Sequence, residues 1–70
     1  MNDITKFSPL ISCTTYSKET YLKEISIDDF LRIEESAFIE FTDGILKRKN
    51  QIESVKNATS AQYFEYNILP

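Results

Sequence analysis

An α+β fold, one helix packed on a small antiparallel sheet, is what this 70-residue chain predicts. Three observations lead there. Ser26, followed by Asp28 and Asp29, opens an amphipathic stretch that reads as a capped helix. Asp43-Gly44 lies between two runs rich in Phe, Ile and Leu, as the turn of a β-hairpin does. Residues that favour strands dominate Leu10–Tyr16, directly after Pro9.

Leu10–Tyr16 is accordingly expected to be a strand, and Ser17-Lys18-Glu19 a turn. Thr20–Ile25 reads either as a second strand or as the lead into the helix, and we favour the strand. Ser26 is a good N-cap, and Asp29 stands where a capping box usually carries Glu or Gln. Asp28 and Asp29 place negative charge on the first turn, where the helix dipole favours it. Ile27, Phe30, Leu31 and Ile33 share one arc at about 100° per residue. The helix, about 26–36, should fade near Glu35–Ser36.

Ala37–Thr42 then reads as a strand leading into the hairpin turn. A two-residue turn pairs Thr42 with Ile45, Phe41 with Leu46 and Glu40 with Lys47. In that register Ile39, Phe41 and Leu46 face the helix, and Arg48 shares their parity. Glu40, Lys47 and Lys49 lie on the opposite face with Phe38 and Ile45, and Glu40 and Lys47 make a cross-strand charge pair. The returning strand is expected to reach Val55 through a bulge near Asn50-Gln51. Beyond Asn57 two patterns compete. Thr59 or Ser60 can cap a short helix carrying Ala61, Tyr63 and Phe64, or Phe64, Tyr66 and Ile68 can alternate as a strand. We favour a short helix opening at Ser60, followed by an extended tail.

Seventy residues make one domain, 1–70, at the size where a single core is marginally stabilising. Cys13 is the only cysteine and there is no histidine, which excludes an intramolecular disulfide and a Cys/His zinc site. No cofactor is expected. Stability must come from packing Phe, Tyr, Ile and Leu, and a homodimer is one way to complete so small a core. Met1–Ser8 lacks a basic region followed by an apolar run, and no stretch approaches the roughly 20 apolar residues of a membrane span. A reducing cytoplasm is therefore expected. The sequon Asn57-Ala58-Thr59 would matter in a secreted chain alone.

The same composition argues against an enzyme. Without His or a Gly-rich phosphate loop, the carboxylate pairs Asp28-Asp29 and Glu34-Glu35 remain, and neighbours on a helix diverge by about 100°. Cys13, in a β-rich run, is expected to be a small buried hydrophobe. Glu34 falls near the centre of the apolar arc; it either swings to solvent from the last turn or pairs with Arg48. Charge is uneven: Glu19–Asp43 holds eight acidic residues against two basic ones, a balance of −6 within an overall −3. Lys47-Arg48-Lys49, with Lys56, reverses it. Four tyrosines (Tyr16, Tyr21, Tyr63 and Tyr66) and no tryptophan are present, with Tyr63-Phe64-Glu65-Tyr66 densely aromatic.

These features predict a non-enzymatic protein-binding module whose partner has a basic surface. Size and charge suit a small acidic inhibitor of a nucleic-acid-handling enzyme, of the kind phages and plasmids encode. Asp28, Asp29, Glu34 and Glu35 would make the contact with an exposed Tyr63/Tyr66 patch. The alternative is a nucleic-acid-binding or regulatory protein using Lys47, Arg48 and Lys49 on the hairpin. A third is a subunit of a larger assembly.

Overall fold

A computed structural model describes residues 9–68. Met1–Ser8 and the extended tail expected after the last helix lie outside those residues. The elements are β1 (Ile11–Thr15), β2 (Thr20–Lys23), α1 (Ile27–Leu31), β3 (Phe38–Glu40), β4 (Leu46–Arg48), a 3-10 turn (Lys49–Gln51), β5 (Ile52–Asn57) and α2 (Ser60–Ile68). The fold is α+β. β1 lies between β2 and β5, antiparallel to both, and β3 and β4 form a second antiparallel pair.

The two sheets join along β2. The Thr42 N–H donates to the Leu22 carbonyl at 2.9 Å, and Lys23 Nζ donates to the Glu40 carbonyl at 2.9 Å. Tyr21 stacks on Phe41, ring centroids 5.3 Å apart. Ile11 and Cys13 from β1, Phe30 from α1, and Ile39 and Phe41 from the second hairpin make the core. Ile25, Ile27, Ile33, Ile52 and Val55 close around it.

Both hairpins turn in the same way. Gly44 N–H donates to the Phe41 carbonyl, and Phe41 N–H to the Ile45 carbonyl, each at 2.9 Å. The loop is therefore three residues, Thr42-Asp43-Gly44, with Gly44 at φ +88°, the type I turn plus left-handed residue that makes a G1 bulge. Between β1 and β2, Lys18 N–H donates to the Thr15 carbonyl and Thr15 N–H to the Glu19 carbonyl, at 2.9 and 2.8 Å. Lys18 holds the left-handed position there, at φ +71°.

The three-residue loop corrects the expected register. Phe38 pairs with Arg48, Ile39 with Lys47 and Glu40 with Leu46. A shift of one residue turns every side chain on a strand to the other face. Leu46 is thus 59% exposed, Arg48 is exposed, and Lys49 is turned inward with 8% of its surface accessible. The Glu40–Lys47 pair does not form. Instead of a bulged return to Val55, the chain makes the 3-10 turn at Lys49–Gln51 and changes sheet, so that β5 pairs with β1. The bulge falls at Glu53, between the pairs Thr14–Ser54 and Thr15–Ile52.

α1 begins as expected, with Ser26 Oγ accepting from Asp29 N–H at 3.1 Å, but it ends at Leu31, well before residue 36. Lys49 explains the early stop. Its Nζ donates to the Leu31 carbonyl at 3.0 Å and the Ile33 carbonyl at 2.8 Å, and lies 5.6 Å from the Phe30 ring centre. In a longer helix the Leu31 carbonyl would accept from residue 35; the ammonium replaces that bond and satisfies the helix end. Asn50 N–H donates to Glu35 O, and Lys49 N–H to Ala37 O, both at 2.9 Å. These bonds fix the segment after α1 along the start of the 3-10 turn.

α2 opens at Ser60 after a reciprocal box. Gln62 N–H donates to Thr59 Oγ1 at 3.1 Å, and Thr59 N–H to Gln62 Oε1 at 2.8 Å. It docks on the start of β1, where Leu10 N–H donates to the Tyr63 hydroxyl at 2.9 Å and Ala58 N–H to the Leu10 carbonyl at 3.0 Å.

Lys49→Met keeps the aliphatic stem and removes the donor from the α1 carbonyls, so urea unfolding should show a loss of about 2–3 kcal/mol. The two turns should respond in opposite senses. Gly44→Ala, whose added Cβ meets nothing within 4 Å, carries the backbone cost alone. It should destabilise by about 1 kcal/mol, while Lys18→Gly should stabilise by up to about 1 kcal/mol. Equal shifts of the same sign would mean the left-handed residue does not govern these turns.

Candidate functional site

The acidic residues singled out in the sequence surround the exposed side of α1. Asp28 and Asp29 project from its first turn, and Glu34 and Glu35 follow its end; all four are exposed. Asp29 Oδ1 lies 3.5 Å from Arg32, and Glu35 Oε2 lies 3.4 Å from Lys49 Nζ. Among the described residues, no cation pairs with the carboxylates of Asp28, Glu34 or Glu40. Glu34 has left the helix and points to solvent. Arg48 does not meet it, because its guanidinium donates to the Ser36 carbonyl at 2.8 Å and lies 4.3 Å over the Phe38 ring.

Leu31 lies between these carboxylates in the chain, next to Arg32, and the apolar arc assigns it to the core. It is 60% exposed, because the short helix directs Phe30 inward and Leu31 to the flank. Beside it runs a groove of about 320 Å³ between α1 and β5. Ile27, Phe30, Leu31, Ile52 and Val55 wall it. Its two carboxylates are each paired within the chain, Glu35 with Lys49, which also lines the groove, and Glu53 with Lys18. An apolar trough beside acidic groups suits an apolar side chain flanked by cations. A larger concavity, about 560 Å³, lies against Ser60, Tyr63, Phe64 and Asn67 of α2. Those residues form one helix face without a charged side chain to orient a ligand.

Tyr63 and Tyr66 are anchors and not the exposed patch the sequence suggested. Both are half-buried. The Tyr63 hydroxyl accepts from Leu10 N–H, and the Tyr66 hydroxyl donates to Glu24 Oε1 at 2.8 Å. Their spacing of three residues put them on one side of a helix, a signal that was present but read as surface. Phe64, between them, is the exposed aromatic of α2.

The basic run is taken apart by the fold. Lys49 is internal. Lys47 is half-buried, 3.7 Å from Glu19 Oε1 and 5.8 Å from the Tyr21 ring centre. Arg48 lies on the outer face of the hairpin. Elsewhere Lys18 binds Glu53 at 2.7 Å, and Lys23 holds the Glu40 carbonyl. Among the described residues no group of three or more His, Cys, Asp or Glu side chains converges as a metal site would, and no helix is long and apolar enough to cross a membrane.

Cys13 lies fully buried on the central strand, as expected of a small hydrophobe. Burial pushes its thiol up to about 11, with the Lys23 charge pulling weakly the other way. The Tyr66 phenol is also raised, first by its hydrogen bond to Glu24, and the Tyr21 phenol by its bond to Glu19. Comparison with known protein families, characterised proteins and solved structures finds no match to this chain.

These shifts set an alkaline limit. A raised acid keeps its proton in the folded state while the unfolded chain loses it, so the contribution is complete below the unfolded value and is lost as pH rises through the folded one. The urea midpoint should hold while the unfolded thiol keeps its proton and bend downward near about pH 8.5, where that thiol is half ionised. It should then fall as the pH approaches the buried thiol's value of about 11. Cys13→Ala should flatten the first part of that decline. A thiol reagent at mildly alkaline pH should label Cys13 on unfolding; rapid labelling of the native protein would contradict its burial.

Proposed function

We propose that this chain is a non-enzymatic protein-binding module. It takes an apolar side chain flanked by basic residues from its partner into the groove between α1 and β5. The observation that carries this reading is Leu31, 60% exposed on the wall of that groove and flanked in the chain by the carboxylates of Asp28 and Glu34, unpaired among the described residues. An exposed leucine in an acidic setting provides burial energy and steering for a basic partner together. Asp28, Asp29, Glu34 and Glu35 keep their place in the contact; Tyr63 and Tyr66 act behind it by holding α2 on the body.

Within that class the module acts as a small acidic inhibitor of a nucleic-acid-handling enzyme, of the phage or plasmid kind, by occupying a basic surface. Its compartment is the cytoplasm, which suits a buried unpaired thiol. A second copy of the chain is the other partner, on a different face. The nucleic-acid reading is weaker, since Lys49 is internal and Lys47 and Arg48 are engaged with the chain itself.

The test is affinity capture from the native host with mass-spectrometric identification, in parallel with nuclease treatment and with a Leu31→Ala/Glu34→Lys double variant. Both substitutions are at exposed positions, and circular dichroism checks that the fold is kept. A stoichiometric protein that survives nuclease and binds the variant roughly tenfold or more weakly is the expected result. Unchanged affinity in the variant removes this surface from the contact. Recovery that vanishes with nuclease overturns the protein-binding reading in favour of nucleic acid.

A further inference from the structure

We propose that the outer face of the β3–β4 hairpin is an isologous interface between two copies of this chain. No residue of this face lines the acidic groove, so the two readings stand or fall independently. Alternate residues of the two strands point away from the core: Phe38 and Glu40 on β3, Leu46 and Arg48 on β4. Phe38 lies opposite Arg48, and Glu40 opposite Leu46. The four side chains thus occupy the corners of a quadrilateral, apolar on one diagonal and charged on the other. Phe38 is 60% exposed and Leu46 59%, two large apolar side chains on one short hairpin. Arg48 is held on this face by its own Phe38 ring and the Ser36 carbonyl. Its guanidinium keeps further N–H donors for an incoming carboxylate.

The pattern is self-complementary in one orientation. A face-to-face dimer has its two-fold axis in the plane of contact, and residue i meets j as j meets i. With the axis along the Phe38–Leu46 diagonal, Phe38 meets Phe38, Leu46 meets Leu46, and each Glu40 meets Arg48 of the partner subunit. An axis along the strands sets Phe38 against arginine and Leu46 against glutamate. An axis across them sets Phe38 against glutamate and Leu46 against arginine. The other diagonal brings glutamate to glutamate and arginine to arginine. The first arrangement matches apolar to apolar and opposite charge to opposite charge. A basic partner would be repelled by Arg48, and a polyanion by Glu40, whereas a second copy satisfies both.

Sedimentation equilibrium of the full chain, from low micromolar to millimolar protein, tests this with a charge-swap design. The wild type should dimerise. Glu40→Arg sets arginine against arginine and Arg48→Glu sets glutamate against glutamate, so each variant alone should dissociate roughly tenfold or more readily. An equimolar mixture of the two should associate again, because each contact then brings arginine to glutamate. Since Arg48→Glu also loses its own intrachain bonds, Leu46→Lys is measured beside it, and it too should weaken the dimer. A wild type that stays monomeric to millimolar concentration overturns the proposal. So do single variants that dimerise like the wild type, or a mixture of folded variants that fails to associate.

Discussion

The ammonium of Lys49 on the carbonyls of Leu31 and Ile33 is the contact on which the arrangement of this domain depends. It is a cation at a helix C-terminus, where the dipole and the orphan carbonyls favour one, and it comes from the 3-10 turn, 18 residues beyond Leu31. α1 can therefore be as short as Ile27–Leu31, although so short a helix has almost no stability by itself. Its end is completed by a side chain from the opposite layer. The same contact sets the Lys49 ammonium 5.6 Å from the centre of the Phe30 ring and fixes where the chain leaves β4 for β5. Helix length, core closure and the change of sheet thus share one side chain.

Much of the fold was legible in local chemistry. The Ser26 cap, the β1–β2 turn, the Asp43-Gly44 turn and the opening of α2 at Ser60 all rest on groups a few residues apart, and these the sequence states directly. The length of the second turn was not legible. Asp-Gly serves a two-residue turn and equally a three-residue loop with Gly44 in the left-handed position. Which forms depends on which strand face finds a core. Choosing the shorter loop reversed the faces of Leu46, Lys47, Arg48 and Lys49 together, and with them the apparent basic surface. The extent of α1 was hidden for a related reason. Its apolar arc continues to Ile33, and the group that ends it comes from the 3-10 turn far along the chain.

The candidate site shows the same division. Carboxylates at Asp28, Asp29, Glu34 and Glu35 were found because charge needs no tertiary information to remain outside. The tyrosines were misplaced because an aromatic near the end of the chain reads alike as an anchor or a contact. The hydroxyl partners that settle it, the Leu10 amide and the Glu24 carboxylate, are more than forty residues away. Phe38 was legible on the outer face from strand alternation, whereas Leu31 and Leu46 were not, since the apolar arc and the shorter loop turn both of them inward. What distinguishes them is the register and the helix end.

The position of β1 has a consequence for how the domain holds together. This first strand lies between β2, its neighbour in sequence, and β5, near the other end of the described chain. Neither hairpin owns a core: Ile11 and Cys13 come from one, Ile39 and Phe41 from the other, and Phe30 from the helix between them. A lone two-stranded ribbon is marginal in water, so each half needs the other before its apolar face is covered. The entropy of bringing β5 back to β1 grows slowly with the length of the loop between them, and it is offset in a single closing event. The domain has no smaller stable part to fall back on. A cut in the connection between α1 and β3 would release the whole structure and not one half of it.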